Sequence, residues 1–178
     1  MTDLSAQAPA LPALGLRWGI KTSFLDYVRR MPDGRAWTGE GAVPVSETEI
    51  LFPPVEAGIR PAGAGVPDRF WAFGGDVRFT GHFGMLFVRI AFPVLTWRDG
   101  VAALTVAAQS DEEPADRVPL VTLRLEAEPA AERIELWRGT DVRLTQAGAE
   151  LFNNVYPAGE AFEPLTLTLP ILDGSRSD

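Results

Sequence analysis

The sequence predicts a mostly β protein: an antiparallel, β-sandwich-like single domain with an N-terminal helix and one or two short helices. Three observations carry that expectation. Turn signals recur about every 8–12 residues, the spacing of sandwiches and barrels. The stretches between them alternate apolar and polar residues, as in ETEILF, VAALTV and LTLTL. Only residues 16–30, LRWGIKTSFLDYVRR, repeat at a helical period. The chain has 178 residues, 46% of them hydrophobic and 22% charged, which suits one globular core. A chain of this size buries roughly 70% of its unfolded surface and needs no staples.

In chain order, residues 1–13 read as a disordered leader broken by Pro9 and Pro12, and residues 14–172 as the domain. In the stretch 16–30, Ile20, Ser23 and Tyr27 share one helical face, with Phe24 and Val28 on the stripe beside it. Arg29 and Arg30 suit the last turn, and Pro32 and Gly34 stop the helix. Residues 37–52 turn to a β pattern, and the Pro- and Gly-rich stretch 53–68 reads as a long loop. Residues 69–80 read as a strand with a bulge or bend at Gly74–Gly75. Residues 83–98 read as one long strand or two short ones, with Pro93 at a bend, bulge or edge.

Asp99–Gly100 is a hairpin turn leading into a strand at 101–108. An acidic turn at 110–116 precedes a strand at 117–127. Residues 134–144 read as a strand pair turning at Gly139–Thr140. Thr145 caps a short helix. Residues 165–169 form the last strand, and 173–178 a disordered tail.

Composition excludes several function classes. Cysteine is absent, which removes disulfides and thiolate metal sites and leaves the compartment undecided. A net charge of −8 argues against nucleic acid and anionic membrane surfaces. No apolar run approaches the ~20 residues of a membrane helix, so no membrane insertion is expected. There is no GxSxG, no Ser/His/Asp motif and no CxxCH, and Gly74–Gly75 lacks the strand–helix context of a dinucleotide fingerprint.

The scarce chemistry-bearing residues are then the candidates: one histidine, His82, and two tyrosines, Tyr27 and Tyr156. Each has two readings. Tyr27 either packs its ring on the sheet with its hydroxyl in water, or serves as a phenolate ligand to a hard ferric iron. A phenol ionises near pH 10, so a phenolate needs a metal or a hydrogen-bonding neighbour. His82, between Gly81 and Gly84, is either a half-buried turn residue or an iron ligand or the partner that orients one. Tyr156, in NNVYPAGE, either covers the core's edge or offers its hydroxyl to a ligand carboxylate.

Three blocks raise the functional readings together: WG.K.SF..Y at Trp18–Tyr27, V.F.GH.G.L at Val77–Leu86 and Y.AGE..EPL at Tyr156–Leu165. With GRAWTGEGA between the first two, they resemble, in order and over residues 14–172, the HtaA domain of Gram-positive haem-uptake proteins. The resemblance implies a mostly antiparallel β fold that binds ferric haem b non-covalently. It implies an axial Tyr ligand at Tyr27, a His at His82 hydrogen-bonded to it, and polar contacts to the haem, through its propionates, from Ser23 and Tyr156. Phe24, Phe83 and Met85 lie near enough in sequence to line the porphyrin faces.

The expected function is haem transport, uptake or intracellular carriage without catalytic turnover. The expected partners are haem and other haem-transfer proteins, with the chain a monomer or a weak haem-bridged dimer. A haem-dependent peroxidase or haem-degrading enzyme is the second reading, and a β-sandwich interaction module without ligand the third. Members of the family are usually exported and surface-anchored. The chain as written shows neither signal nor anchor, so the cytoplasm is expected, or the cell surface or a secreted state if it is a processed fragment.

Overall fold

A computed structural model describes residues 13–60, 68–108, 116–130 and 132–171. The sequence readings of a disordered leader and tail, and most of the acidic turn at 110–116, lie outside these residues. Over half of the chain is strand, all pairing is antiparallel, and two α-helices are present among the described residues.

The stretch 16–30 is not one helix: Gly15–Trp18 is strand β1, and helix α1 spans only Thr22–Arg30. Leu16 and Trp18 alternate into the core while β1 pairs with strands on both sides. Ile20 then takes a left-handed φ of 59° that breaks strand from helix, an unusual conformation for a β-branched residue. Ile20 is buried and lies outside the helix, so it shares no face with Ser23 and Tyr27. Helix α1 buries Phe24, Leu25 and Val28, each contributing about 1.5–3 kcal/mol by leaving water.

The remaining strands are β2 (Arg35–Gly39), β3 (Val43–Pro44), β4 (Ile50–Phe52), β5 (Pro54–Arg60), β6 (Asp68–Phe73), β7 (Asp76–Gly81), β8 (Leu86–Ala91), β9 (Val94–Arg98), β10 (Val101–Ala107), β11 (Arg117–Glu128), β12 (Ile134–Leu144) and β13 (Leu165–Pro170), with helix α2 at Gln146–Leu151. They form a ten-stranded sheet, ordered β3-β4-β1-β13-β12-β11-β10-β9-β6-β5, and a three-stranded sheet, β2-β7-β8. The chain enters the small sheet after Gly74–Gly75 and leaves it at Phe92–Pro93. The two crossings are tied together by Phe92 N–H donating to the Gly75 carbonyl, 2.8 Å, and Phe73 N–H to the Pro93 carbonyl, 2.9 Å.

Trp71 on β6 and Trp137 on β12 touch, with ring centroids 5.4 Å apart. Four strand spacings of a flat sheet would separate them by about 19 Å. The large sheet is therefore strongly coiled, and its inward side chains join those of the small sheet and α1 in one buried cluster.

Two more stretches differ from expectation. Residues 54–60, expected in a loop, form edge strand β5, where Pro54 is tolerated because an edge leaves N–H groups unpaired. Residues 134–144 are one strand with no turn. Gly139 sits inside it because a Cβ there would lie 2.5 Å from Leu123 and 2.7 Å from Leu165. The Asp99–Gly100 hairpin, with φ of 49° and 83°, and the Thr145 cap, which accepts from Gly148 N–H at 2.8 Å, match expectation. No helix among the described residues is long and apolar enough to cross a membrane.

Candidate functional site

The site grows from one face of α1. Its buried stripe packs Phe24 edge-on against Phe79 of β7 and Phe152 beyond α2, both at 5.1 Å. That anchoring turns Ser23 and Tyr27, the positions just before Phe24 and Val28, outward. Ser23 and Tyr27, four residues apart, then stand on one exposed face about 5–6 Å from each other. Tyr27 keeps 40% of its surface exposed.

The start of α1 has no side-chain cap of its own, since Lys21 occupies the cap position. The missing acceptor comes from far along the chain: Glu163 Oε1 accepts from Thr22 N–H at 3.2 Å. The same segment receives Trp18 Nε1–H on the Glu163 carbonyl, 2.8 Å, and Lys21 Nζ on the Ala161 carbonyl, 2.8 Å. These bonds bring the loop carrying Tyr156 against α1, and Ser23 Oγ lies 3.2 Å from Tyr156 Oη.

At the other end of α1, Tyr27 Oη is hydrogen-bonded to His82 Nε2. His82 begins a tight turn at His82–Gly84 between β7 and β8. His82 and Phe83 both take left-handed φ, 48° and 56°. For residues other than glycine each such conformation costs about 1–3 kcal/mol, and it persists only when surrounding contacts fix it. One such contact is visible: Asp33 Oδ2 accepts from Phe83 N–H at 2.6 Å. That amide, with the nearby His82 as a lesser cause, holds the Asp33 carboxyl below the ordinary carboxylate range.

The four residues singled out from sequence thus form one line, Tyr156–Ser23–Tyr27–His82, built from three separate chain segments. Large apolar side chains lie exposed beside it: Phe83 is 97% and Met85 83% exposed. Phe24 does not join them. It is fully buried between Phe79 and Phe152 and belongs to the core, because a residue one position from Ser23 points about 100° away around the helix. Sequence reasoning missed Asp33 and Glu163. The Pro32–Asp33–Gly34 turn was legible only as a helix stop, and no local signal in the sequence marks Glu163 as the cap of a helix 141 residues earlier.

A phenol and an imidazole beside exposed apolar side chains offer a ligand an oxygen donor, a proton acceptor and apolar contact. Among the described residues no cluster of three or more His, Cys, Asp or Glu could hold a bare metal ion. A metal carried in its own macrocycle needs only one protein donor. A groove of about 760 Å³ along β5 and β6, lined by Ile59, Phe70 and Trp71, shares no residue with this line.

Fold and site together define an antiparallel β domain with an exposed Tyr–His pair between a short helix and a β-turn. The HtaA family model matches residues 13–168, and the chain belongs to that family. Among solved structures it is similar to the C-terminal domain of HtaA from Corynebacterium glutamicum (TM-score 0.69, 21% identity, covering 87% of this chain and 94% of that one). It is also similar to the N-terminal domain of HtaA from the same organism (TM-score 0.66, 24% identity, 86% and 95%). A third is the Heme binding protein HtaB of Corynebacterium glutamicum (TM-score 0.63, 19% identity, 87% and 91%). A comparison with curated protein sequences finds no match.

Proposed function

We propose that this domain binds ferric haem b non-covalently through Tyr27 and carries it without catalytic turnover. Membership of the HtaA family and similarity to a haem-binding protein support haem as the ligand. The observation that carries the reading is the Tyr27–His82 hydrogen bond on an exposed face flanked by Phe83 and Met85. Bound haem would supply a ferric centre that takes an anionic oxygen donor. Tyr27 would furnish that donor, and His82 would hold the phenol proton as the phenolate forms and then steady the oxygen by hydrogen bonding. Ser23 and Tyr156 would receive the haem's carboxylates with their hydroxyls, each a competent donor. Phe83 and Met85 would cover apolar ring surface otherwise left in water.

Catalytic turnover at haem needs a group that delivers and removes protons. The chain has one histidine, and His82 is already committed to Tyr27. That favours carriage over chemistry, with haem received from and released to other haem-transfer proteins. The test is a haemin titration of the apo-protein with Tyr27→Ala and His82→Ala alongside. The wild type is expected to give a saturable one-to-one, high-spin ferric spectrum. Tyr27→Ala should abolish that spectrum, and His82→Ala should shift it while weakening binding less. An unchanged spectrum in Tyr27→Ala overturns the ligand assignment.

A further inference from the structure

We propose that Asp33 is a positioning residue for this site: by binding the Phe83 amide it docks the His82 turn onto the exit of α1 and so sets the Tyr27–His82 hydrogen bond. The inference rests on the haem-binding reading for its consequence, not for its geometry. Tyr27 and His82 belong to different elements, one on a helix and one on a β-turn, and their contact depends on how those elements are held together. The segment after α1 grips the turn at two points. Met31, buried at the helix end, packs its sulfur so closely on Gly81 that a Cβ there would come within 2.6 Å of it. On the far side of His82, Asp33 Oδ2 accepts from Phe83 N–H at 2.6 Å.

The segment itself is fixed to α1. Met31 N–H donates to the carbonyls of Tyr27 and Val28, each at 3.3 Å, and Gly34 N–H donates to the Met31 carbonyl at 3.1 Å. Gly34 lies so tightly against the Val28 carbonyl that a Cβ would sit 1.9 Å from its oxygen. The Met31–Gly34 stretch is therefore a rigid bracket between helix and turn. The packing contact holds the residue before His82, and the Asp33 carboxylate is the polar contact that holds the residue after it. Left-handed backbone at both His82 and Phe83 relaxes readily unless pinned, and relaxation would swing the imidazole away from Tyr27.

The experiment has an arm without haem and an arm with it. In the apo-protein, the Phe83 amide resonance and the cross-relaxation between the Tyr27 and His82 rings are followed in the wild type, Asp33→Asn and Asp33→Ala. Far-UV circular dichroism checks that each variant is folded. Asp33→Ala is expected to lose the ring contact while remaining folded. Asp33→Asn keeps an acceptor for Phe83 N–H and should retain it. In the haemin-bound protein, Asp33→Ala should reproduce the spectrum of His82→Ala and weaken binding about tenfold, the usual size of an outer-shell effect. Added to His82→Ala, it should change binding less than about twofold, because the two act through one contact.

Retention of the ring contact in Asp33→Ala overturns the proposal. So does an equal loss of affinity with and without His82, which marks a merely structural role. If the wild type binds no haemin, the functional reading falls while the apo arm still decides whether Asp33 positions His82.

Discussion

Glu163 caps α1: its carboxylate accepts the Thr22 amide at 3.2 Å across 141 residues of sequence. Its own backbone N–H donates to the Ile20 carbonyl at 2.9 Å, so the strand-to-helix break and the stretch before β13 hold each other. The helix that presents Ser23 and Tyr27 therefore starts at an angle set by the C-terminal part of the chain. A lone nine-residue helix is too short to be stable in water, and here its first turn is closed from outside.

Replacing Glu163 with Ala leaves the Thr22 amide without its side-chain acceptor. The expected loss is about 1 kcal/mol, as for an ordinary N-cap deletion. For a chain of this size that lowers the thermal midpoint by about 2–4 °C. Glu163→Gln retains an acceptor and should lose less. Thermal unfolding of the three apo-proteins checks the order.

Phe83 is 97% exposed, so its ring adds almost nothing to apo stability. Phe83→Ala should melt within about 2 °C of the wild type. If haem covers the ring, the same change removes apolar contact worth roughly 1.5 kcal/mol, and haemin should bind about tenfold more weakly. A paired melt and haemin titration measures both. Weaker binding with no stability loss identifies Phe83 as a ligand contact; a large stability loss would place its ring in the fold.

Legibility in the sequence followed the range of the interactions concerned. Strand β10 is readable because one face is buried and the alternation is complete, and β11 and β13 because the alternation holds from Val121 to Leu125 and through Leu165, Leu167 and Leu169. The Asp99–Gly100 turn and the Thr145 cap were readable because the responsible groups lie within a few residues of one another. Strand β1 reads as helix because Ile20, Ser23 and Tyr27, with Phe24 and Val28 beside them, also fall at helical spacing, and nothing local announces left-handed Ile20. Strand β5 showed no alternation because its side chains are mostly exposed, as at an edge. Gly139 resembled a turn, yet it is required by Leu123 and Leu165 packing over it. At the site, Tyr27, His82 and Tyr156 stood out by scarcity in the sequence and by their blocks. Asp33 and Glu163 did not, since their partners lie 50 and 141 residues away and acidic residues are common.

The small sheet should be acid-sensitive. Asp76 is buried between Arg89, with Nε and Nη2 both 2.9 Å from Oδ2, and Arg78, with Nη2 3.0 Å from the same oxygen. Burial alone would push the Asp76 carboxyl up, but the two guanidinium groups outweigh it and hold it below its ordinary value of 3.8. The unfolded chain takes up that proton near pH 3.8 and the folded chain only at lower pH. The stabilisation is therefore complete above this range and is lost as pH falls through the folded value. Asp76→Asn should cost about 3 kcal/mol at neutral pH, or roughly 6–12 °C in melting temperature. Its melting temperature should also fall less steeply than the wild type's as pH drops below about 3.8, where the unfolded carboxyl takes up its proton and the folded one does not. Parallel curves for the two proteins would remove Asp76 as the acid-sensitive group.

Ser23 and Tyr156 offer the sharpest test of ligand orientation, because the chemistry they would recognise can be deleted from the ligand as well as from the protein. Their hydroxyl oxygens lie 3.2 Å apart in a mutual hydrogen bond, and a carboxylate placed beside them meets two donors once that bond opens. Hydrogen bonds to a charged group are worth about 1.5–3 kcal/mol, so Tyr156→Phe should weaken haemin binding about tenfold or more. Haemin dimethyl ester has no carboxylates, and the wild type should bind it more weakly than haemin. The decisive comparison is Tyr156→Phe with the ester: if Tyr156 acts on a propionate, the substitution should then change affinity less than about twofold. An equal loss with haemin and with its ester would mean that Tyr156 supports Ser23 and α1 rather than the ligand, its ring already packing on Phe152 and Phe162 at 6.2 and 5.8 Å. The ferric spectrum should not move in Tyr156→Phe under either outcome, since Tyr27 and His82 are left in place, and that separates this end of the site from the iron.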